Sequence, residues 1–197
     1  MASGTAPLIV GIGGTMSPSS STERALKTAL AAAEQRGAVT RLFGSAHLAA
    51  LEHYRSGRLN GAAQELIDAV RGADGVIIAS PGYHGTVSGL LKNAIDYLEE
   101  TAGDDRPYLD GVPVGLIATA YGWQASVNTL AALRSIVHAL RGWPTPLGVA
   151  INSAGAGSAG ETEASARIAN LVGQVCGFIE LATRVGPTAA RRHAVPA

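Results

Sequence analysis

Residues 11–26, GIGGTMSPSSSTERAL, hold three glycines and six hydroxyl side chains but no lysine. They separate an apolar run, Leu8-Ile-Val-Gly-Ile12, from a segment of helical pattern. A helix start offers unpaired backbone N–H groups and a partial positive charge, so hydroxyls gathered there suit a phosphate. A single Ser20, Ser21 or Thr22 would suffice to cap the helix; six hydroxyls exceed that need. A second glycine-rich turn, Ser80-Pro-Gly-Tyr-His-Gly85, follows another apolar run and holds two large polar rings. Such a turn lets a flat ligand approach the backbone closely.

The identity of the phosphate ligand is narrowed by what the first loop lacks. A nucleotide-hydrolysing loop closes on Gly-Lys-Ser/Thr, and there is no lysine here. The dinucleotide fingerprint GxGxxG fails because Met16 occupies its last position. An acidic residue closing the second strand would bind a dinucleotide ribose, yet Leu42-Phe43-Gly44 stands there. A mononucleotide monophosphate such as FMN fits better.

These loops must be held by a sheet. Apolar runs at 8–12, 38–43, 75–80, 112–119 and 146–151 alternate with helical patterns at 22–36, 61–71, 88–100, 124–140 and 161–183. Residues 44–58 read as irregular. Strands that are almost wholly apolar are buried on both faces, which implies a parallel sheet with helices on each side. The expected fold is α/β: a flavodoxin-like three-layer sandwich with a five-stranded parallel sheet in order 2-1-3-4-5. In that order a ligand crevice lies beyond the C-terminal ends of strands 1 and 3. Both loops open onto it.

The 197 residues fit one domain, 1–186, with 187–197 read as a disordered tail. Acidic and basic residues balance at 15 each, which argues against a nucleic-acid or anionic-membrane footprint. The single cysteine, Cys176, excludes an intramolecular disulfide and reads as a buried small hydrophobe. No run approaches the ~20 apolar residues of a membrane span, and the N-terminus lacks the features of a signal peptide. A cytoplasmic location is expected. No Ser-His-Asp set, paired carboxylates or metal-spaced ligands stand out, so no metal is expected. His138 reads as a satisfied structural histidine, and Lys92 with Asp96 as a weak surface pair.

The chain resembles the NADPH-dependent FMN reductases over nearly its whole length. GGTMSPSSSTERAL is similar to the family's phosphate loop, G-S/T-x-R-x-x-S. SPGYHGTVSGLLKNAIDYL matches the pattern P-x-Y-x-x-x-x-x-G-x-L-K-N-x-x-D at Pro81, Tyr83, Gly89, Leu91, Lys92, Asn93 and Asp96. Residues 118–152 look like the third flavin loop with its helix and final strand.

The resemblance implies an NAD(P)H-dependent FMN reductase with FMN as flavin and NADPH or NADH as hydride donor. Gly14, Thr15, Ser17, Ser20, Ser21 and Thr22 would bind the phosphate. Pro81, Gly82, Tyr83, His84 and Gly85 would wrap the flavin ring, with Gly82 and Gly85 allowing close approach. Ala120, Tyr121, Gly122 and Trp123 would form the second wall. Alternatives stand for three residues. Tyr83 either meets the flavin or packs on a helix, His84 equally faces solvent, and Trp123 equally belongs to a core or subunit interface. Asn93 would tether the flavin loop. Ser17 occupies the family's arginine position, which removes a charged phosphate contact. The resemblance further implies a homodimer or homotetramer and delivery of reduced flavin to a partner monooxygenase. The alternatives are an FMN-retaining quinone, azo or nitro reductase and a non-enzymatic electron carrier.

Overall fold

A computed structural model describes residues 5–17, 20–154 and 158–185. The expected tail, 187–197, lies outside the described residues. The sheet is parallel throughout. Strands β1 (Leu8–Gly13), β3 (Gly75–Pro81) and β4 (Pro113–Ala120) form its centre. β2 (Val39–Phe43) lies outside β1, and β5 (Trp143–Pro144) and β6 (Val149–Asn152) both pair with β4. The order is β2-β1-β3-β4-β5, as the alternation of patterns predicts.

One strand departs from expectation. The run 146–151 does not form a single strand; its place at the sheet edge is shared by β5 and β6. Pro113 and Val114 face β5, whereas Ile117 to Ala120 face β6. Pro144 and Pro146 lack the N–H that a continuous ladder needs, so the chain detours through residues 145–148.

Side chains alternate across the pleat and divide the core in two. Val10, Ile12, Val76, Ile78, Val114 and Leu116 point to one face, which is covered by α3 (Gly61–Gly72), α4 (Gly89–Asp96) and α5 (Trp123–Ala139). Ile9, Ile77, Ala79, Ile117 and Val149 point to the other, under α1 (Ser21–Glu34) and α6 (Ser158–Val185). The segment read as irregular contains one short helix, α2 (Ser45–Ala49), too brief for periodicity to register. The third helical pattern, 88–100, stops as an α-helix at Asp96 and continues as a 3-10 turn, Tyr97–Thr101.

Caps set the helix starts that face the crevice. Ser20 accepts from the Glu23 N–H at 3.2 Å, and Ser88 from the Leu91 N–H at 3.2 Å. His138, read as a satisfied structural histidine, lies exposed near the end of α5. Cys176 is half-buried against the α1–α6 core, where burial pushes its thiol pKa up.

Candidate flavin site

Beyond the ends of β1, β3 and β4 the three expected loops meet, and Thr119 joins them. Its hydroxyl lies 2.6 Å from that of Thr22, and both residues are buried. Its carbonyl accepts from the Gly82 N–H at 2.7 Å. One residue at the end of β4 therefore holds both the helix start after β1 and the turn after β3. Asn152, at the end of β6, fixes the last loop: its Oδ1 accepts from Gly122 N at 2.9 Å and Ala154 N at 3.0 Å. Neither residue was singled out from sequence. A hydroxyl or amide that works across 97 or 30 residues leaves no periodic signal.

The phosphate-type loop divides into residues that bond within it and residues that face outward. The Thr15 hydroxyl donates to Ser17 O at 3.1 Å and accepts from Ser17 N at 3.0 Å, making a compact local turn. Gly14 takes φ +136, a backbone region open to glycine and rarely adopted by other residues. Ser17 is exposed, and Ser21 lies 3.2 Å from the Ser153 hydroxyl. By helix geometry the Ser21 and Thr22 N–H groups have no intrahelical acceptor. Thr22 offers that backbone group alone as a ready donor, since its hydroxyl is taken up with Thr119. Pro18 and Ser19 lie outside the described residues.

The turn after β3 is a two-residue reversal. His84 and Gly85 take φ 54 and 86, and Thr86 N donates to Tyr83 O at 3.2 Å. Two consecutive positive φ values define a type I′ turn, in which a glycine at the second position avoids strain. The buried Ser80 hydroxyl closes the turn from beneath, accepting from Ser88 N and donating to Pro81 O, both at 3.0 Å.

The glycines here have reasons other than ligand approach. A Cβ on Gly82 would lie 2.8 Å from Thr129 Oγ1 and 3.1 Å from Ala120 Cβ, so the protein itself fills that space. A Cβ on Gly85 would meet nothing within 4 Å, and backbone conformation alone demands glycine. Gly85→Val should therefore distort the turn and lower flavin affinity by about tenfold, while apo-protein stability falls by only about 1 kcal/mol. Flavin titration beside thermal melts of the apo protein measures both. An affinity loss no larger than the unfolded fraction accounts for would make Gly85 purely structural.

Aromatic side chains stand around this crevice. Tyr83 is 54% exposed, Tyr121 88% and Trp123 56%. Trp123 is thus no core residue. Tyr121, Gly122, Trp123 and Gly85 border a concavity of about 330 Å³ with Gln124, Ala125 and Asn128. A larger one, about 610 Å³, lies between α1, β6 and α6 and reaches the crevice only at Ser21, Trp123 and neighbouring residues of β6's end. Its greater size does not make it the better candidate, because it is off the strand ends of β1 and β3. The candidate residues themselves include no carboxylate. Neutral donors at a helix start and open aromatic faces a short way off fit a flavin monophosphate.

Residues 7–157 match the family model for NADPH-dependent FMN reductases. The chain belongs to that family. It is 38% identical over 87 residues to the FMN-dependent NADPH-azoreductase of Staphylococcus aureus, a stretch covering 44% of this chain and 43% of that enzyme. The match thus spans less than half the length of these curated relatives. An oxidoreductase from Corynebacterium diphtheriae superposes with a TM-score of 0.72 at 24% identity, covering 90% of this chain and 98% of that one. FerB from Paracoccus denitrificans, an NAD(P)H:(acceptor) oxidoreductase, gives 0.69 at 20% identity, covering 87% and 98%. At such identities these two likenesses speak for the fold.

Among the residues that carry the FMN reductase resemblance, Asn93 has a different task from the one expected. Its Oδ1 accepts from Tyr54 N at 2.9 Å and lies 3.0 Å from His53 Nδ1, and its amide donates to Glu52 O at 2.8 Å. It tethers residues 52–54, not the turn after β3. Lys92 and Asp96 pair at 2.5 Å on an exposed helix face. Among the described residues no group of three His, Cys, Asp or Glu is placed to hold a metal, and no helix is long and apolar enough to cross a membrane.

Proposed function

We propose that this chain is an NAD(P)H-dependent FMN reductase whose flavin lies at the crevice beyond β1, β3 and β4. The observation that carries this reading is the joining of all three loops through Thr119 in a chain of this family. When bound, the flavin supplies the hydride-accepting ring, so the chain needs no general acid or base of its own. The Ser21 and Thr22 N–H groups and the Ser17, Ser20 and Ser21 hydroxyls bind the phosphate. The backbone of Pro81 to Gly85 orients the ring edge, while Tyr83, Tyr121 and Trp123 shield its faces from water and leave room for a nicotinamide. In this reading the protein is a cytoplasmic homodimer or homotetramer, and reduced FMN passes to a partner monooxygenase. A second reading, an FMN-retaining azo, quinone or nitro reductase, draws on the similarity to the azoreductase.

The exposed Ser17 separates the two. A charge-assisted hydrogen bond contributes about 1.5–3 kcal/mol against about 1 for a neutral one, so neutral donors alone should hold FMN several-fold to some tens-fold more loosely. The purified protein should be pale and oxidise NADPH or NADH only when FMN is added. Ser17→Arg should tighten FMN by about tenfold without changing riboflavin affinity. Steady-state oxidation with and without FMN, beside titrations with both flavins, gives the test. Arg24 borders the larger concavity beside Ser21, so Arg24→Ala belongs in the same series. A yellow protein that turns over a quinone or azo dye without added FMN supports the second reading. Absence of NAD(P)H oxidation under every condition removes both.

A further inference from the structure

Glu23 departs from the usual behaviour of its position. With Ser20 as N-cap, Glu23 is the third helical residue, where a capping box would turn its carboxylate back to the N-cap N–H. Here the Ser20 N–H is taken by Ser17 O at 3.2 Å. The Glu23 carboxylate instead crosses to the turn after β2. Its Oε2 accepts from Ser45 N at 3.1 Å and from the Ser45 hydroxyl in a shorter bond, while Oε1 pairs with Lys27 Nζ at 2.8 Å. The residue is 5% exposed. Burial alone would raise its pKa, but the bonds from Lys27 and Ser45 outweigh that and hold it below its ordinary value.

The start of the phosphate-type loop rests on this tie. A Cβ built on Gly14 would lie 2.8 Å from Ser45 Oγ, 3.1 Å from Ser45 N and 3.4 Å from Glu23 Oε2. Glu23 also packs against Gly44, with its Cδ 3.4 Å from the equivalent point. Glu23 and Ser45 thus form the surface against which Gly14 is held at φ +136, one residue before the Thr15–Ser17 turn. We propose that Glu23 is a positioning residue for flavin-phosphate recognition: by gripping Ser45 it fixes Gly14, and through Gly14 the donors of the loop. It touches no phosphate itself. This inference rests on the FMN reading above.

Only a phosphorylated flavin uses that loop, so the ratio of FMN to riboflavin affinity reads the effect separately from general damage. Glu23→Ala should weaken FMN by about tenfold and riboflavin by no more than about twofold. Glu23→Gln keeps an acceptor for Ser45 N and should hold the ratio within about twofold of wild type. Ser45→Ala removes only the hydroxyl and should fall between them, which keeps the test open if Glu23→Ala does not fold. Thermal melts without flavin identify the folded samples. Loss of both flavins by one common factor in Glu23→Ala and Ser45→Ala would overturn the proposal, as would a ratio unchanged in both. So would a Glu23→Gln protein as impaired as the alanine variant. A wild type that binds FMN no better than riboflavin lacks the phosphate subsite altogether, and the inference falls with the reading beneath it. That failure shows in the wild type; failure of the inference alone shows in the variants.

Discussion

Gly13→Ala is expected to destabilise the fold well beyond the same change at Gly11. Gly13 ends β1 with φ +153, and a Cβ there would stand 2.1 Å from Ala79 O and 2.9 Å from Ala79 C. Those atoms are the backbone of β3, paired with β1 in register at this position, and cannot swing aside as a side-chain end would. Relief requires moving one central strand away from another, at a cost of about 4 kcal/mol or more, in the rare destructive range for a point substitution. That is a large share of the roughly 5–15 kcal/mol that holds a domain folded. Gly11→Ala makes the control two residues earlier. The atoms nearest its Cβ would be Leu26 and Leu30 methyl groups at 2.9–3.2 Å, and overpacking of that kind costs about 1–3 kcal/mol. Urea melts of both variants decide the matter, and equal midpoints would show that the β1–β3 contact yields more easily than argued.

Thr119→Val should cost about 2 kcal/mol, because it leaves the buried Thr22 hydroxyl opposite a methyl group. The diagnostic is the double variant. Thr22→Val with Thr119→Val removes both polar partners at nearly constant volume, and most of the lost stability should return. Flavin affinity should behave differently. The double variant still lacks the bond that fastens the helix start to β4, so FMN binding should remain weakened even where stability recovers. Chemical denaturation of the three variants and wild type forms a double-mutant cycle, with FMN titrations alongside. Strictly additive losses would mean that the two hydroxyls do not act as a pair.

The contrast between these residues explains which parts of the molecule could be read in advance. Runs such as Gly75 to Ser80 declare a doubly buried strand through residue type alone, and their alternation with helical patterns yields the sheet order. The crevice follows from that order, as do the loops that border it. Thr119 and Glu23 are different. Each acts through one side chain on a partner far along the chain, and nothing near Glu23 in sequence names Ser45. The local pattern even misdirects, since Ser20-Ser-Thr-Glu23 spells an ordinary capping box. Gly82 was legible as a glycine that something approaches closely, but the approaching atoms belong to Thr129 and Ala120. The split of the last strand was missed for a related reason: apolar content marks residues 146–151, while pairing with β4 decides where the ladder runs.

That split has a consequence for how copies of this protein meet one another at high concentration. An open sheet invites another chain to add a strand along its border. On the border beyond β4 the invitation is withdrawn. The Arg134 guanidinium donates to Thr145 O at 3.0 Å and Pro146 O at 2.9 Å, the Thr145 hydroxyl to Leu147 O at 2.8 Å, and Leu147 N reaches Gln174 Oε1 at 2.9 Å. Two prolines remove further donors. Over residues 144–147 the groups a newcomer would need are already engaged or missing, and the ladder is broken midway. This stretch of the border resists the edge-to-edge stacking that begins fibrillar aggregation.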